Sequence, residues 1–247
     1  DFFTKPKFDM QQGMQAKARV LASKVKVAAG ANLSKRKVSP STNEARARPL
    51  NGSAMLKTTD TIIAIGASTG GTEALRELLT TLPPNMSPII ITQHMPEKFT
   101  TSFAARLNQQ CRLTVKEAEN GDSLITGTVL IAPGNYQMGL SRSGARYQVF
   151  TNQEPRMNRH RPSVDYLFRS VSKTAGSNAI GVILTGMGAD GAVGMREMKD
   201  AGAYNIAQDE ATSVVFGMPK VAIEKGGVDQ VCPLLDIADQ LLNRLSK

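Results

Sequence analysis

Three residues of the sequence could act together in acyl transfer: Ser68, His94 and Asp190. Ser68 lies in a G-x-S-x-G stretch between a β-branched apolar run and an amphipathic helix. A strand–turn–helix unit of this kind holds the serine hydroxyl at the end of a sheet, where backbone N–H groups at the helix N-terminus face it. In acyl transfer an imidazole takes the serine proton and a carboxylate orients the imidazole. The residue types therefore predict a nucleophile, a base and an orienting acid.

The serine turn by itself has two other interpretations. A glycine-rich first turn of a doubly wound domain often binds a nucleotide phosphate, and a serine there can simply cap the next helix. However, the turn contains no Walker-type lysine and no clear G-x-G-x-x-G pattern. A phosphate site would also leave His94 and Asp190 unexplained. A phosphate- or nucleotide-binding module is thus one alternative function.

The choice of base is narrow because the chain contains only two histidines. His94 lies just beyond a predicted strand, at the place where the strand gives way to a helix. His160 lies between Arg159 and Arg161, whose charges oppose a second positive charge on the ring. We therefore predict that His94 is the base and that His160 makes structural hydrogen bonds or contacts the substrate.

The candidate acid, Asp190, has a second possible role. Asp190 precedes Gly191 at a predicted helix start, where an aspartate could serve only as the helix cap. Asp165 is expected in the first turn of another helix, not in a triad. The chain order serine, histidine, aspartate also differs from the order in α/β-hydrolases, which argues against an ordinary lipase or esterase.

The elements that must position these residues alternate between strand and helix. Strands are predicted at 61–66, 88–92, 113–116, 128–132, 136–140, 146–150, 179–185 and 202–209, and helices after Gly70, at 95–110, 162–175, after Gly191, at 216–224 and at 234–245. This alternation predicts an α/β fold with a doubly wound, mostly parallel, Rossmann-like sheet and helices on both faces. Ligands of such sheets bind at the carboxyl ends of the strands, which is where the three candidate residues lie.

The positive charge of the chain is concentrated in its first 60 residues. The formal net charge is +9, of which residues 1–60 contribute +8 and residues 61–247 only +1. Because no aromatic residues are interleaved with the basic ones, we expect no nucleic-acid binding. The chain shows no signal peptide and no apolar run of about 20 residues, so we expect a cytoplasmic protein without membrane insertion. Cys111 and Cys232 show no metal or redox spacing, in keeping with a reducing compartment.

The composition divides the chain into three parts. In residues 1–29, two aromatics precede a Lys-Pro pair and a helical pattern follows, and this segment resembles the C-terminal end of a response-regulator receiver domain. Residues 30–59 are rich in polar and basic residues without an apolar period, which predicts a flexible basic linker. Residues 60–247 form the predicted catalytic domain.

Longer motifs indicate a family. The chain contains, in order, GASTGG, ITQHMP, APGNYQM, NRHRPSVDYLF, ILTGMGADGAVGM and AQDEATSVVFGMP. Together with the receiver-like N-terminus, these resemble the chemotaxis-type protein-glutamate methylesterases, and strings this long are far more specific than G-x-S-x-G alone. The resemblance implies that Ser68 is the nucleophile, His94 the base and Asp190 the third triad member. It also implies backbone oxyanion donors at Thr69 and Met187.

The resemblance further implies an activity and its partners. The expected reaction is hydrolysis of γ-glutamyl methyl esters on the cytoplasmic helices of methyl-accepting chemoreceptors, together with deamidation of receptor glutamines, without metal or cofactor. A chemotaxis histidine kinase is the expected partner of the missing part of the receiver domain. Arg159, His160 and Arg161 are candidate contacts with the acidic receptor surface. The second alternative is a non-catalytic scaffold that docks receptor tails through its basic arm.

Overall fold

The computed structural model describes residues 61–246 and, in the N-terminal segment, Ala22, Val25, Lys26, Ala29 and Gly30. The predicted receiver remnant and linker otherwise lie outside the described residues, and their assignment stays a prediction. The described part of the chain contains the whole predicted catalytic domain except its ends.

Nine strands lie within residues 61–246. They are β1 (Ile62–Ala67), β2 (Ile89–Gln93), β3 (Thr114–Glu117), β4 (Thr128–Ile131), β5 (Gln137–Ser143), β6 (Arg146–Asn152), β7 (Ala179–Ile183), β8 (Tyr204–Gln208) and β9 (Gln230–Cys232). Seven of them form one sheet in the order β3-β4-β2-β1-β7-β8-β9, and every neighbouring pair is parallel. Strands β5 and β6 pair separately as an antiparallel hairpin.

Helices connect the parallel strands. The α-helices of the same region are α1 (Gly71–Thr81), α2 (Phe99–Gln110), α3 (Val164–Thr174), α4 (Ala192–Asp200), α5 (Met218–Glu224) and α6 (Ile237–Leu245), with short 3-10 helices at Gly176–Asn178 and Leu234–Asp236. The expectation of a doubly wound, mostly parallel α/β sheet is confirmed.

The sheet separates two apolar cores. Every residue of β1 is buried, and successive side chains of a strand point to opposite faces. Ile63 and Ile65 pack in one core with α1, α2 and α6. Ile62 and Ala64 pack in the other with α3, α4, α5 and the β5–β6 hairpin. A strand covered on both sides needs a continuous apolar run, which explains the sequence of β1.

Beyond shifts of up to three residues at element ends, the structure differs from the sequence-based expectation in two places. Helix α2 begins at Phe99, although a proline at position 96 predicted an earlier start. Lys98 has a left-handed backbone conformation with φ 73°, which ends the preceding loop and delays the helix. Strand β9 was not predicted, because it is only three residues long and its central Val231 is exposed.

The chain reverses its direction of winding at β1. Strand β2 lies on one side of β1 and β7 on the other, so the loops after these strands leave the sheet on either side of a crevice. Such a switch point at the carboxyl end of a parallel sheet is the usual ligand position in doubly wound folds. The three strands that precede the candidate catalytic residues are therefore adjacent.

Candidate active site

Ser68 lies in a sharp turn between β1 and α1. Its N–H donates to the carbonyl oxygen of Thr185 (3.0 Å), and its own carbonyl oxygen accepts from the Gly71 N–H (2.8 Å). Gly70 adopts φ 82°, and a Cβ there would lie 2.7 Å from Val214 Cβ. The turn thus needs glycine both for its backbone conformation and for its close contact with the neighbouring loop.

His94 follows β2 and is fixed by its neighbours. Its N–H donates to the Ala67 carbonyl oxygen (3.1 Å), which continues the parallel pairing of β2 with β1. The amide Nε2 of the buried Gln93 donates to the carbonyl oxygens of Ser68 (3.0 Å) and His94 (3.1 Å). Gln93 therefore ties the serine turn to the histidine loop.

The three predicted side chains form one hydrogen-bonded chain. Ser68 Oγ lies 3.1 Å from His94 Nδ1, and His94 Nε2 lies 2.7 Å from Asp190 Oδ2. Since an ionised carboxylate only accepts, the neutral imidazole carries its proton on Nε2 and leaves Nδ1 to accept the serine proton. The side chains of His94 and Asp190 are only 8% and 2% exposed, so little water competes for this contact.

Asp190 does not cap the helix that follows it. The N-cap of α4 is Gly191, without a side-chain cap. Instead, the Asp190 carboxylate lies at the N-terminus of α3, where Oδ2 accepts from the Val164 N–H (2.8 Å) and Oδ1 from the Ser163 hydroxyl (2.8 Å) and the Asp165 N–H (3.1 Å). A helix N-terminus favours a negative charge.

These contacts keep Asp190 ionised. Burial alone would raise the pKa of Asp190, but the hydrogen bond and charge of His94 and the hydrogen bonds from Asn158 and the Val164 N–H lower it to about 2. The carboxylate is therefore charged at any pH at which the protein would work. A negatively charged Asp190 carboxylate orients the His94 imidazole and stabilises the protonated form of that ring.

His160 lies directly against the candidate base. The His94 and His160 rings are stacked, with centroids 3.7 Å apart and an interplanar angle of 8°. Arg159 is exposed. Arg161 donates to the carbonyl oxygens of Gln153 (2.8 Å) and Glu154 (3.2 Å) and to an asparagine side chain, so its guanidinium holds the loop. The sequence placed His160 near the site but gave no sign of the stacking.

The two candidate oxyanion donors flank the serine. Thr69 follows Ser68 directly, and the Thr185 hydroxyl fixes its carbonyl oxygen (3.0 Å). Met187 follows Gly186, where a Cβ would lie 2.9 Å from Ser68 Cβ. Within residues 61–246 neither the Thr69 nor the Met187 N–H donates a backbone hydrogen bond. Both N–H groups are therefore left without a backbone acceptor in this part of the chain, which is what an oxyanion donor requires.

Sequence reasoning missed several supporting residues. Gln93 and Thr185 donate hydrogen bonds to the carbonyl oxygens of the serine turn, at Ser68 and Thr69, and Asn158 donates to Asp190. Gln137 also escaped notice, although its buried amide supports the loop before α3 through the His160 carbonyl oxygen (3.2 Å). The roles of these residues depend on contacts between distant segments, and no local sequence pattern predicts such contacts.

The described residues offer neither a metal-binding cluster nor a helix suited to crossing a membrane. They contain no group of three or more His, Cys, Asp or Glu side chains arranged to hold a metal ion. None of their helices combines the length and the apolar character that crossing a membrane requires.

A serine, an imidazole and a carboxylate joined in this order at the ends of parallel strands are the arrangement of a serine hydrolase. Comparison with known proteins identifies the family to which this hydrolase-like site belongs. Residues 63–241 match the family described as CheB methylesterase. The chain belongs to this family.

Similar proteins agree with this assignment. The chain is 51% identical over 246 residues to a protein of Photorhabdus laumondii named protein-glutamate methylesterase/protein-glutamine glutaminase, covering all of this chain and 69% of the relative. Proteins of the same name from Pectobacterium atrosepticum (52% identical) and Salmonella typhimurium (51%) match with the same coverage. The crystal structure of the Thermotoga maritima CheB methylesterase catalytic domain superposes with a TM-score of 0.73 at 42% identity, covering 74% of this chain and 98% of that domain.

Proposed function

We propose that this chain is a protein-glutamate methylesterase that hydrolyses γ-glutamyl methyl esters of chemoreceptors and deamidates receptor glutamines. The observation that carries the proposal is the hydrogen-bonded chain from Ser68 through His94 to Asp190 at the ends of three adjacent strands. Family membership supplies the substrate class. A phosphate- or nucleotide-binding module would have no use for a buried, ionised carboxylate behind a histidine.

Acylation follows from the geometry. Ser68 Oγ attacks the carbonyl carbon of the side-chain ester while its proton passes to His94 Nδ1, 3.1 Å away. The negative charge on the carbonyl oxygen is stabilised by the N–H groups of Thr69 and Met187. When the tetrahedral intermediate collapses, the C–O bond to the methoxy group breaks and His94 returns the proton to it, which releases methanol.

Deacylation repeats these steps with water. His94 takes a proton from a water molecule, the resulting hydroxide attacks the acyl-enzyme, and the proton returns to Ser68 Oγ as glutamate leaves. With a glutamine substrate the first leaving group is ammonia, and the second half of the reaction is the same. Throughout, Asp190 stays ionised and accepts the hydrogen bond from His94 Nε2.

The substrate is a side chain on a folded helix, so the nucleophile must be reachable from a surface. Ser68 is half-buried, and the loop after β7, which approaches it at Gly186, includes the exposed residues Gly188 and Ala189. We propose that the cytoplasmic helices of methyl-accepting receptors dock over this edge of the sheet, near Arg159, His160 and Arg161. We also propose that a receiver domain continuous with residues 1–29 takes its phosphoryl group from a chemotaxis histidine kinase.

The decisive experiment measures methanol release from receptor-containing membranes that carry labelled methyl esters. The wild-type chain is expected to release methanol, and Ser68→Ala to lose about 10⁴-fold or more in kcat with unchanged circular dichroism. Thr72→Ala, a substitution at a neighbouring hydroxyl of α1, is the matched control and should retain activity. Unchanged turnover by a folded Ser68→Ala variant would refute the serine mechanism. Absence of release by the wild type together with tight nucleotide binding would support the module instead.

A further inference from the structure

The side-chain amide of Asn158 lies between two carboxylates, one of which belongs to the candidate triad. Its Nδ2 atom is 2.7 Å from Asp190 Oδ1 and 2.6 Å from Asp165 Oδ2. An amide nitrogen carries two N–H groups, so it can donate one to each carboxylate. Asn158 itself lies on an exposed turn, but both of the groups that it contacts are buried.

Asp165 fixes the orientation of this amide. Its other oxygen, Oδ1, accepts from the Gly194 N–H (2.7 Å), and the residue is only 3% exposed. Burial and the charge of Asp190 raise the pKa of Asp165, while the Gly194 N–H opposes the rise. A flipped Asn158 amide would direct its oxygen at two carboxylates, which is unfavourable in so buried a place. The amide nitrogen therefore has one stable orientation.

The backbone that presents Asn158 is unusual. Met157 and His160 exchange backbone hydrogen bonds (3.2 and 2.8 Å), and the two residues between them, Asn158 and Arg159, have φ of 51° and 69°. Left-handed backbone is uncommon for residues other than glycine, although asparagine tolerates it well. One tight turn thus places the Asn158 amide on Asp190 and the His160 ring on His94.

We propose that Asn158 is a positioning residue for catalysis, oriented by Asp165, which holds the Asp190 carboxylate in line with His94. The other donors to Asp190 apart from His94 come from the start of α3, residues 163–165. Asn158 donates its hydrogen bond from a separate segment. Its N–H group stabilises the ionised Asp190 carboxylate while His94 is protonated. The proposal rests on the proposed esterase function.

The test compares two variants of position 158. Asn158→Gly removes the side chain and accepts the left-handed backbone without strain. Asn158→Asp keeps the shape but replaces the donor with a third carboxylate. Hydrogen bonds to charged groups are among the stronger ones, so kcat is expected to fall about tenfold to a hundredfold in Asn158→Gly, with little change in KM. The loss in Asn158→Asp should be at least as large.

Asn152→Asp is the matched control. It makes the same chemical change in the same region, at an amide that donates to the Tyr166 hydroxyl (2.9 Å) and to Glu154 (3.3 Å). Its kcat should stay within about twofold of the wild type, since the hydrogen bonds of the Asn152 side chain go to Tyr166 and Glu154 and not to a triad residue.

A spectroscopic readout separates positioning from a merely structural role. The proton between His94 Nε2 and Asp190 should give a far-downfield proton NMR resonance, because the two atoms are 2.7 Å apart and buried. This resonance is expected to shift or broaden in Asn158→Gly and to stay unchanged in Asn152→Asp. An unchanged resonance in Asn158→Gly, or a kcat within twofold of wild type, overturns the proposal.

Asp165→Asn provides a second test. An amide at position 165 can accept from only one of its two present donors, the Gly194 N–H or Asn158, and must turn its own NH₂ group towards the other. We also expect a lower kcat and a displaced His94–Asp190 proton resonance in Asp165→Asn. If both match the wild type, the proposed role of Asp165 is overturned. A wild-type chain that releases no methanol would contradict the proposed function instead, while the resonance still reports whether Asn158 orders the pair.

Discussion

Asp190 joins the candidate site to the fold by accepting five hydrogen bonds through its two carboxylate oxygens. Four of these come from the turn that carries Asn158 and from the start of α3, and the fifth comes from His94. The same contacts that keep the carboxylate charged also fix its direction. Stability and catalysis therefore depend on the same protonation state of this residue.

Asp190 should make the stability of the fold depend on pH. Because its folded-state pKa of about 2 lies below the ordinary value of 3.8, ionised Asp190 stabilises the fold above about pH 4. This contribution is lost as the pH falls through about 2. A shift of this size corresponds to about 2 kcal/mol. Urea unfolding should show Asp190→Asn less stable than the wild type by about that amount at pH 7, with the difference narrowing below pH 4.

A control for this measurement is Asp200→Asn. The Asp200 side chain is 56% exposed and pairs with Arg196 at the surface, where ion pairs contribute little. Its unfolding free energy should match the wild type across the same pH range. A constant difference between Asp190→Asn and the wild type from pH 7 to pH 2 would show that the carboxylate charge is not the stabilising feature.

The two histidines should respond differently to substitution, although their rings are stacked. His94→Gln removes the group that takes and returns the serine proton, so kcat is expected to fall by about 10⁴-fold. His160→Gln removes a packing partner and leaves the proton path intact, so we expect a loss of about tenfold or less. Methanol release measured side by side decides between them. A greater loss for His160→Gln would make His160 the base.

The sequence revealed the catalytic candidates but not the residues that hold them. Ser68, His94 and Asp190 could be predicted because the carboxyl ends of parallel strands share one edge of a sheet. The contact of Asn158 with Asp190 could not, since it depends on a left-handed turn and on the packing of distant segments. The stacking of His160 on His94 has the same origin.

At the scale of elements, strand cores were easier to predict than boundaries. The apolar runs of β1, β2 and β7 mark buried strands because both faces of the sheet are covered. Helix α2 starts later than its proline indicated, because Gly134 packs closely against the backbone of Pro96 and Glu97 and Lys98 turns left-handed. Such boundaries are decided by tertiary contacts that no local pattern records.

The approach of α3 to α4 depends on one small residue. A Cβ at Gly194 would lie 2.5 Å from Phe168 Cβ, and the Gly194 N–H donates to Asp165. Gly194→Ala is therefore expected to push the helices apart, with a loss of about 1–3 kcal/mol in unfolding free energy and a lower kcat. Thermal unfolding and methanol release measure the two effects.

Arg196→Ala is the matched substitution on the exposed side of the same helix. The Arg196 side chain is 50% exposed, so its removal should cost about 0.5 kcal/mol or less and leave kcat unchanged. If Gly194→Ala proved as mild as Arg196→Ala in both measurements, the close packing of the two helices would not be what positions Asp165.

At the scale of the whole molecule, residues 61–246 contain both cores, the entire sheet and every candidate site residue. Most of the net positive charge lies outside them, in residues 1–60. An enzyme would therefore need residues 61–246. A scaffold that docks through its basic arm, residues 1–60, would need that N-terminal segment.

Deletion of residues 1–57 separates these two functions. Because the triad and the two described cores are formed by residues 61–246, the shortened chain is expected to keep the kcat and melting temperature of the full chain. Methanol release should be measured for both at low and at physiological salt, since attraction between the basic arm and an acidic receptor would be screened by salt. A rise in KM at low salt alone would assign the arm to docking. Loss of kcat in a folded, shortened chain would show that the site needs the arm.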